Sequence, residues 1–342
     1  MTYLICYSMA LFFLRSLIHN NTSCKMKIAT VDYADYISGD PIRKAAFIKK
    51  LGDAFSEIGF AIVANHGVSV ELKEKLYSTV QNYFAQSDDL KKQDEDLKNG
   101  GQRGYVSKGR ETAKGYNQAD LKEFYHVGQV VTDDDAIKSE YPDNIWPQSM
   151  PEFKEVTMEV YRTFEKTGRD LLRAIAQYLE LDENYFDAKI HNGNSILRLL
   201  HYYPVQDISQ VPEGAVRAGA HEDINLITLL MGASAAGLQA QKMDGTWLDV
   251  SPEANQIVIN MGDMLQRLTN GKLKSTTHRV VNLSKEEMLK PRYSTPFFLH
   301  PRSDMDLTCL ESCIDEEHPK RFTDMTAGQY LDERITELGL KG

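Results

Sequence analysis

At 342 residues, with 42% hydrophobic and 26% charged residues, the chain can form one large globular domain or two small ones. Its net charge of -10 argues against nucleic acid as a substrate, because a phosphate backbone attracts a basic surface; only a local basic pocket stays open. Four cysteines (Cys6, Cys24, Cys309, Cys313) are too few for a disulfide scaffold and follow no metal-binding spacing, which fits reduced thiols and a cytoplasmic protein.

Residues 1–25 stand apart. The apolar run Leu4 to Leu14 is too short to span a bilayer. It also lacks the basic start and small-residue cleavage site of a signal peptide, and Arg15 follows it rather than preceding it. Met26-Lys27-Ile28 begins a sensible domain, so residues 1–25 read as an extension, with a membrane anchor as the alternative.

Ile28 to Tyr33 reads as a first strand. Asp40-Pro41 is a cap followed by proline at the first helical position, and Ile42, Phe47, Leu51, Phe55 and Ile58 follow at helical spacing up to Gly59. Phe60 to Ala64 is a strand closed by Asn65-His66-Gly67, where His66 reads as a turn histidine packing its ring. Ser69 caps a second helix carrying Leu72, Leu76, Val80, Tyr83 and Phe84 on one face. Gly100 to Tyr105 turns into an extended segment, residues 106–120 form a loop, and Asp120 to Val127 is a strand. A long helix runs from Pro151 to about Leu181, and Ser195 to Pro204 is again a strand. Beyond it come many short strands with turn signals, including the hairpin signal Asp244-Gly245. Thr326-Ala327-Gly328-Gln329 is a capping box for a final helix. Helices first and short strands after suggest an α+β fold with a mainly β core: a two-sheet jelly roll, or double-stranded β-helix, braced by helices. The expected division is a helical amino-terminal region over 26–190 and a jelly-roll core over 191–342, forming one catalytic unit.

Chemistry concentrates at Gly219-Ala220-His221-Glu222-Asp223 and at the distant His278. The run Ile224 to Leu230 reads as a strand, where residues i and i+2 share a face, so His221 and Asp223 project together. His278 lies in a second strand-like run, Ser275 to Val281. Two histidines and one carboxylate on facing strands can occupy one face of an octahedral metal and leave the other positions open, the arrangement of non-haem Fe(II). A third run, Arg292 to Leu299, puts Arg292 and Ser294 on one face, and a guanidinium fork with a hydroxyl suits a carboxylate.

With these residues, and with Gly237-Leu238-Gln239, Asn260-Met261-Gly262-Asp263 and Thr269-Asn270-Gly271, the chain after Met26 resembles the 2-oxoglutarate/Fe(II) dioxygenase superfamily, in its isopenicillin N synthase-like branch. The resemblance implies a jelly roll holding Fe(II) at His221, Asp223 and His278, with O2 and 2-oxoglutarate as cosubstrates. It places the distal carboxylate of 2-oxoglutarate at Arg292 and Ser294, with the Tyr203 hydroxyl on the same group. It makes Tyr105, Phe124 and His126 candidate residues of the substrate pocket. The implied reaction oxidises a small organic molecule by hydroxylation, desaturation or ring closure, and releases succinate and CO2. No nucleic acid or membrane partner is expected, and the oligomeric state is not legible. His201 departs from the family pattern, standing where many plant relatives carry asparagine. Isopenicillin N synthase itself uses no 2-oxoglutarate, and its matching pair holds the substrate's carboxylate, so a 2-oxoglutarate-independent oxidase or cyclase is the alternative. A zinc hydrolase would need a general base at the metal, and strand alternation turns Glu222 away. A non-catalytic binding protein would have no need of all five residues together.

Overall fold

The structure is a computed structural model and describes residues 27–96, 98–110, 121–207, 209, 217–232, 237–281 and 284–337. The extension 1–25 and Leu338 of the last helix lie outside them. Among the described residues twelve strands run in chain order: β1 (Ala29–Asp32), β2 (Phe60–Ala64), β3 (Gly104–Val106), β4 (Glu123–Gly128), β5 (Ile196–Tyr202), β6 (Ala218–His221), β7 (Ile227–Met231), β8 (Leu238–Gln241), β9 (Trp247–Asp249), β10 (Gln256–Met261), β11 (His278–Val280) and β12 (Arg292–Leu299). The main helices are α1 (Pro41–Glu57), α2 (Val70–Phe84), α3 (Glu152–Tyr178), α4 (Asp263–Leu268) and α5 (Ala327–Glu337).

The strands form two sheets. One has eight strands in the order β1-β2-β10-β7-β12-β5-β4-β3, the other four in the order β6-β11-β8-β9. Non-consecutive neighbours and antiparallel pairing along β2 to β3 give the jelly roll expected from the sequence.

Period-two alternation makes the large sheet apolar on both faces. Its outward residues, among them Val63, Ile257, Leu229, Phe297, Leu199 and Tyr125, join a core with Leu51, Phe55, Leu76, Phe153 and Phe164 of α1, α2 and α3. Its inward residues Phe60, Ile62, Val258 and Leu230 pack with Ala218, Leu238, Ala240 and Val280 of the small sheet. Each fully buried Leu, Ile, Val or Phe contributes roughly 1.5–3 kcal/mol, so both layers resist slippage of a strand by one residue.

The local signals act as read. Asp40 Oδ1 accepts from Ile42 N at 2.8 Å with Pro41 at the first helical position, and Ser69 Oγ accepts from Leu72 N at 3.1 Å. Thr326 and Gln329 form a reciprocal capping box before α5. Asp244-Gly245 makes the β8–β9 hairpin turn, with Gly245 at φ 79°.

Several elements differ from expectation. Ile42 is 79% exposed, because it lies on the solvent side of the first turn of α1. The strand expected from Asp120 begins at Glu123, and the one expected over Ile224–Leu230 begins at Ile227. The strands read in the amino-terminal region join the barrel: β1–β2 and β3–β4 form the two ends of the large sheet. Cys309 and Cys313 are both free, buried thiols, as the reduced state read from the sequence requires. His66 is buried beside Phe164, its packing role as expected, and burial together with the nearby Lys73 lowers its pKa to about 4.

Candidate active site

His221 ends β6, and His278 faces it as its register partner on β11. Asp223 is not on a strand. It sits in the turn between β6 and β7, and its placement comes from α4. Asp263 N donates to Asp223 O at 2.7 Å, Met264 N to Ile224 O at 3.2 Å, and Gly262 N to Leu226 O at 3.0 Å. The N–H groups at the start of α4 thus hold the carbonyls of residues 223–226, which is why Ile224–Leu226 cannot extend the β7 ladder.

The donor atoms converge. One ligand atom from each of His221, Asp223 and His278 lies within 4.8 Å of the others, and each histidine Nε2 stands 3.9 Å from Asp223 Oδ1. His221 Nδ1 donates to Gly219 O at 2.7 Å and His278 Nδ1 to Thr276 O at 3.0 Å. With the protons on Nδ1, both Nε2 lone pairs point at the shared space. Asp223 Oδ2 accepts from Thr228 Oγ1 at 2.6 Å and Asn260 Nδ2 at 2.7 Å, and Asn225 Nδ2 donates to Thr228 Oγ1 at 2.9 Å. That network holds one carboxylate oxygen and leaves Oδ1 for the histidines. Burial pushes the Asp223 carboxyl up, but His278, His221 and the two hydrogen bonds outweigh it, so it lies below its usual value. Burial and His221 lower the His278 pKa against the pull of Asp223. His278 is also wedged edge-on against Phe60, at 5.5 Å between ring centroids. The His221 side chain is 49% exposed, so the cluster opens to solvent on its side. Two imidazoles and one carboxylate, oriented by partners on their outer atoms, fit a divalent metal of the Fe(II) type. Glu222 is exposed and accepts from Thr277 Oγ1, turned outward as expected, so it is no general base for a hydrolase.

Arg292 and Ser294 face inward on β12, and Arg292 lies opposite Tyr202 of β5. The guanidinium is 6% exposed, and its Nε and Nη1 are buried without a hydrogen-bond partner. A buried, unmatched guanidinium is costly, so this orphaned fork fits an absent anion. The Arg292 and Arg217 guanidiniums lie 5.2 and 5.9 Å from the centre of the Tyr202 ring. Burial and the neighbouring Arg292 lower the Arg217 pKa, as expected where two cations share one region. The register therefore brings Tyr202, rather than Tyr203, opposite Arg292. Tyr203 follows the end of β5, half-buried beneath Lys108 Nζ at 5.4 Å, and its phenol pKa is raised by burial and by Glu123.

The three candidate pocket residues divide between the sheet faces. Phe124 and His126 point inward. Tyr105 points outward, 2% exposed, its hydroxyl donating to Glu123. It is part of a buried cluster in which Lys91 Nζ and His201 Nδ1 each lie 2.8 Å from a Glu123 oxygen. The structure so removes Tyr105 from the pocket and explains His201: it belongs to this cluster and stacks on Tyr293 at 4.8 Å, on the face opposite Arg292.

Arg198 had no part in the sequence reading. It faces inward on β5, donates from Nε to His126 Nε2 at 2.7 Å, and lies over Phe124 and Phe298 at 4.4 and 5.3 Å. His126 in turn donates from Nδ1 to Gly101 O at 2.8 Å, which fixes its tautomer. Alternation along Arg198-Leu199-Leu200 was the available signal.

A jelly roll with a two-histidine, one-carboxylate cluster and a buried anion receptor defines a mononuclear metal oxygenase of the non-haem type. Residues 193–301 match the 2OG-Fe(II) oxygenase superfamily, and residues 28–149 match the amino-terminal region named for the non-haem dioxygenase in morphine synthesis. The 2-oxoglutarate-Fe(II) type oxidoreductase ppzD of Metarhizium rileyi is 31% identical over 327 residues, covering 90% of each chain. The crystal structure of a 2OG-Fe(II) oxygenase family protein from Caulobacter crescentus is 40% identical, with a TM-score of 0.82, covering 91% of this chain and 99% of that one. A full-length Neurospora crassa protein, solved in complex with alpha-KG and thymine, is 29% identical, with a TM-score of 0.80 over 91% and 96% of the two chains. The chain belongs to the 2-oxoglutarate/Fe(II) oxygenase superfamily, in its isopenicillin N synthase-like family. It is a 2-oxoglutarate- and Fe(II)-dependent oxidoreductase that uses O2, which sets aside the 2-oxoglutarate-independent oxidase, the zinc hydrolase and the non-catalytic protein.

Proposed function

We propose that His221, Asp223 and His278 hold the Fe(II), that Arg292 and Ser294 hold the distal carboxylate of 2-oxoglutarate, and that Phe124, His126, Arg198 and Phe298 wall the substrate. The observation that carries the reading is the convergence of three donor atoms at one end of a barrel whose other end holds a buried, unmatched guanidinium. The overall reaction would be R–H + O2 + 2-oxoglutarate → R–OH + succinate + CO2, with desaturation and ring closure as the other outcomes of the same oxidation. Fe(II) with O2 and 2-oxoglutarate supplies the oxidising power; the chain's residues supply position. Arg292 and Ser294 orient the cosubstrate along the barrel. Thr228 and Asn260 hold Asp223 so that one oxygen faces the metal. Apolar inward residues such as Phe60 and Ile62 line the space between. The half-exposed edge of His221 marks the side from which substrate arrives.

The substrate would be a small organic molecule, as in relatives solved with thymine and with JA. Among the described residues no helix is long and apolar enough to cross a membrane, and a cytoplasmic setting is part of this reading.

The test is anaerobic titration of the Fe(II) protein with 2-oxoglutarate, followed by visible absorption. A charge-assisted hydrogen bond is worth roughly 1.5–3 kcal/mol, so Arg292→Ala should weaken 2-oxoglutarate by about 10- to 150-fold. Arg292→Lys keeps the charge without the fork and should fall between. Tyr203→Phe separates the two tyrosines: a weakened titration places its hydroxyl on the cosubstrate, and an unchanged one removes it from the site. Unaltered 2-oxoglutarate affinity in Arg292→Ala would overturn the carboxylate assignment.

A further inference from the structure

The Arg292 end of the barrel is not closed. A cavity of about 440 Å³ lies there, walled by the inward apolar residues Leu230, Leu238 and Val258 and reaching Arg292 on one side and Lys73 of α2 on the other. None of His221, Asp223 or His278 lines it. The register shows why. Thr228, bonded to Asp223, marks the metal end of β7, and Leu230 and Gly232 lie toward its other end. Likewise β12 begins at Arg292 and reaches the level of Thr228 only at Phe298. The volume falls within the range of about 300–1,000 Å³ that holds drug-sized ligands, far more than the tail of a five-carbon diacid needs.

Three features make this space fit for an acidic chain rather than for water alone. Its walls are apolar where methylenes would lie. Two buried guanidinium atoms, Arg292 Nε and Nη1, have no partner among the described residues. Lys73, whose ammonium donates to Ala254 O, adds a second cation to the lining, and Glu253 lines the cavity as well. The rim is also built: the Tyr77 hydroxyl donates to Met231 O at 3.1 Å and Gly232 O at 3.0 Å, pinning α2 to the end of β7.

Resting on the proposed role of Arg292, we infer that this chain accepts 2-oxo diacids longer than 2-oxoglutarate, the added methylene taken up by the cavity beside the guanidinium. With 2-oxoadipate the reaction balances as R–H + O2 + 2-oxoadipate → R–OH + glutarate + CO2. The bond that breaks is the same C1–C2 bond of the 2-oxo acid; only the length of the released diacid changes.

The experiment compares anaerobic titrations of the Fe(II) protein with 2-oxoglutarate and 2-oxoadipate, by visible absorption. A closed pocket rejects one extra methylene by about 10- to 200-fold; an open one should discriminate by less than about 10-fold. Gly232→Phe closes the space, since a Cβ there meets nothing nearer than Pro252 Cγ at 3.9 Å and has room to extend. It should lower 2-oxoadipate affinity by about 10-fold or more while 2-oxoglutarate stays within about 3-fold. Ser251→Phe, from another part of the lining, reads the same closure if Gly232→Phe does not fold. If wild type binds 2-oxoglutarate but rejects 2-oxoadipate by more than about 10-fold, the inference is overturned and the cosubstrate reading stands. If the blocking variants affect both acids equally, or neither, the cavity does not take the tail. If neither acid binds wild type, the cosubstrate reading itself fails, and this inference with it.

Discussion

Thr228→Val tests whether the metal cluster depends on what lies behind it. The substitution keeps the side-chain shape and removes one hydroxyl, which donates to Asp223 Oδ2 at 2.6 Å and accepts from Asn225 Nδ2 at 2.9 Å. A hydrogen bond to a charged group is worth roughly 1.5–3 kcal/mol, or about 10- to 150-fold in an equilibrium constant. Loss of an outer partner of a metal ligand typically costs about 10- to 100-fold in metal affinity, so the two routes give the same order. Asn260→Ala removes the other donor to Oδ2, at 2.7 Å, and should cost a similar factor. Because both donors serve one oxygen, the double variant should lose less than the product of the two singles. The pH dependence has a definite sign. Asp223 lies below its usual carboxyl value, so its charged form is lost only as pH falls through that lowered value. Either substitution raises it, so the acid-side loss of metal binding should move to higher pH. The assay is anaerobic competition for Fe(II) against a chelator, with thermal unfolding as the check on folding. Single variants that fold and bind iron within about twofold of wild type would refute the argument that this network orients Asp223.

His278→Ala should abolish stoichiometric Fe(II) binding with the fold intact; full iron occupancy in that variant would remove His278 from the ligand set. Gly262→Ala should weaken iron binding without touching a ligand, because a Cβ there would stand 2.1 Å from Asn225 O and displace the turn that carries Asp223; an unchanged chelator competition would show that the turn tolerates the shift. Glu123→Gln leaves Lys91 with the more exposed Asp88, at 3.1 Å, as its carboxylate partner and should cost about 1–3 kcal/mol in chemical denaturation, against near zero if the cluster only fills space. Burial raises the Glu123 carboxyl, but His201, Lys91 and Tyr105 hold it below its usual 4.5. Its contribution is therefore complete above pH 4.5 and is lost as pH falls through the lowered value, a loss the Gln variant should not show.

The parts of the site legible in the sequence were those set by short-range rules. β12 spans Arg292–Leu299 as read, and its alternation alone puts Arg292 and Ser294 on one face. The caps at Asp40 and Ser69 and the box at Thr326 needed only the next few residues. Asp223 reached its expected neighbours by a route the sequence did not show. Ile224-Asn225-Leu226 has strand composition, yet its carbonyls bond to α4, nearly forty residues on, and no local pattern reports that partner. Tyr105 faces away from the pocket for a reason that lies in its strand. Facing depends on register, and a three-residue strand such as β3, entered through Gly104 at φ 74°, carries too few residues to show its phase. Arg198 and Asn260 were visible as residues but not as roles, since each acts through a partner on another strand.

The two faces of the large sheet carry buried polar and charged residues with different duties, and β5 and β12 contribute to both. Arg292 and Tyr202 pair on the inner face, and their sequence neighbours Tyr293 and His201 pair on the outer face as a stack 4.8 Å apart. His201 is fixed by Glu123, and Glu123 by Lys91 and Tyr105. A one-residue slip of β12 against β5 would move the Arg292 guanidinium into the helix-side core and break the His201–Tyr293 stack in the same step. Register at Arg292 is therefore enforced from behind, by a charge cluster on the opposite face of the sheet. The arrangement also gives His201 its duties: the position faces away from the cavity, and its side chain meets Glu123 and covers Tyr293.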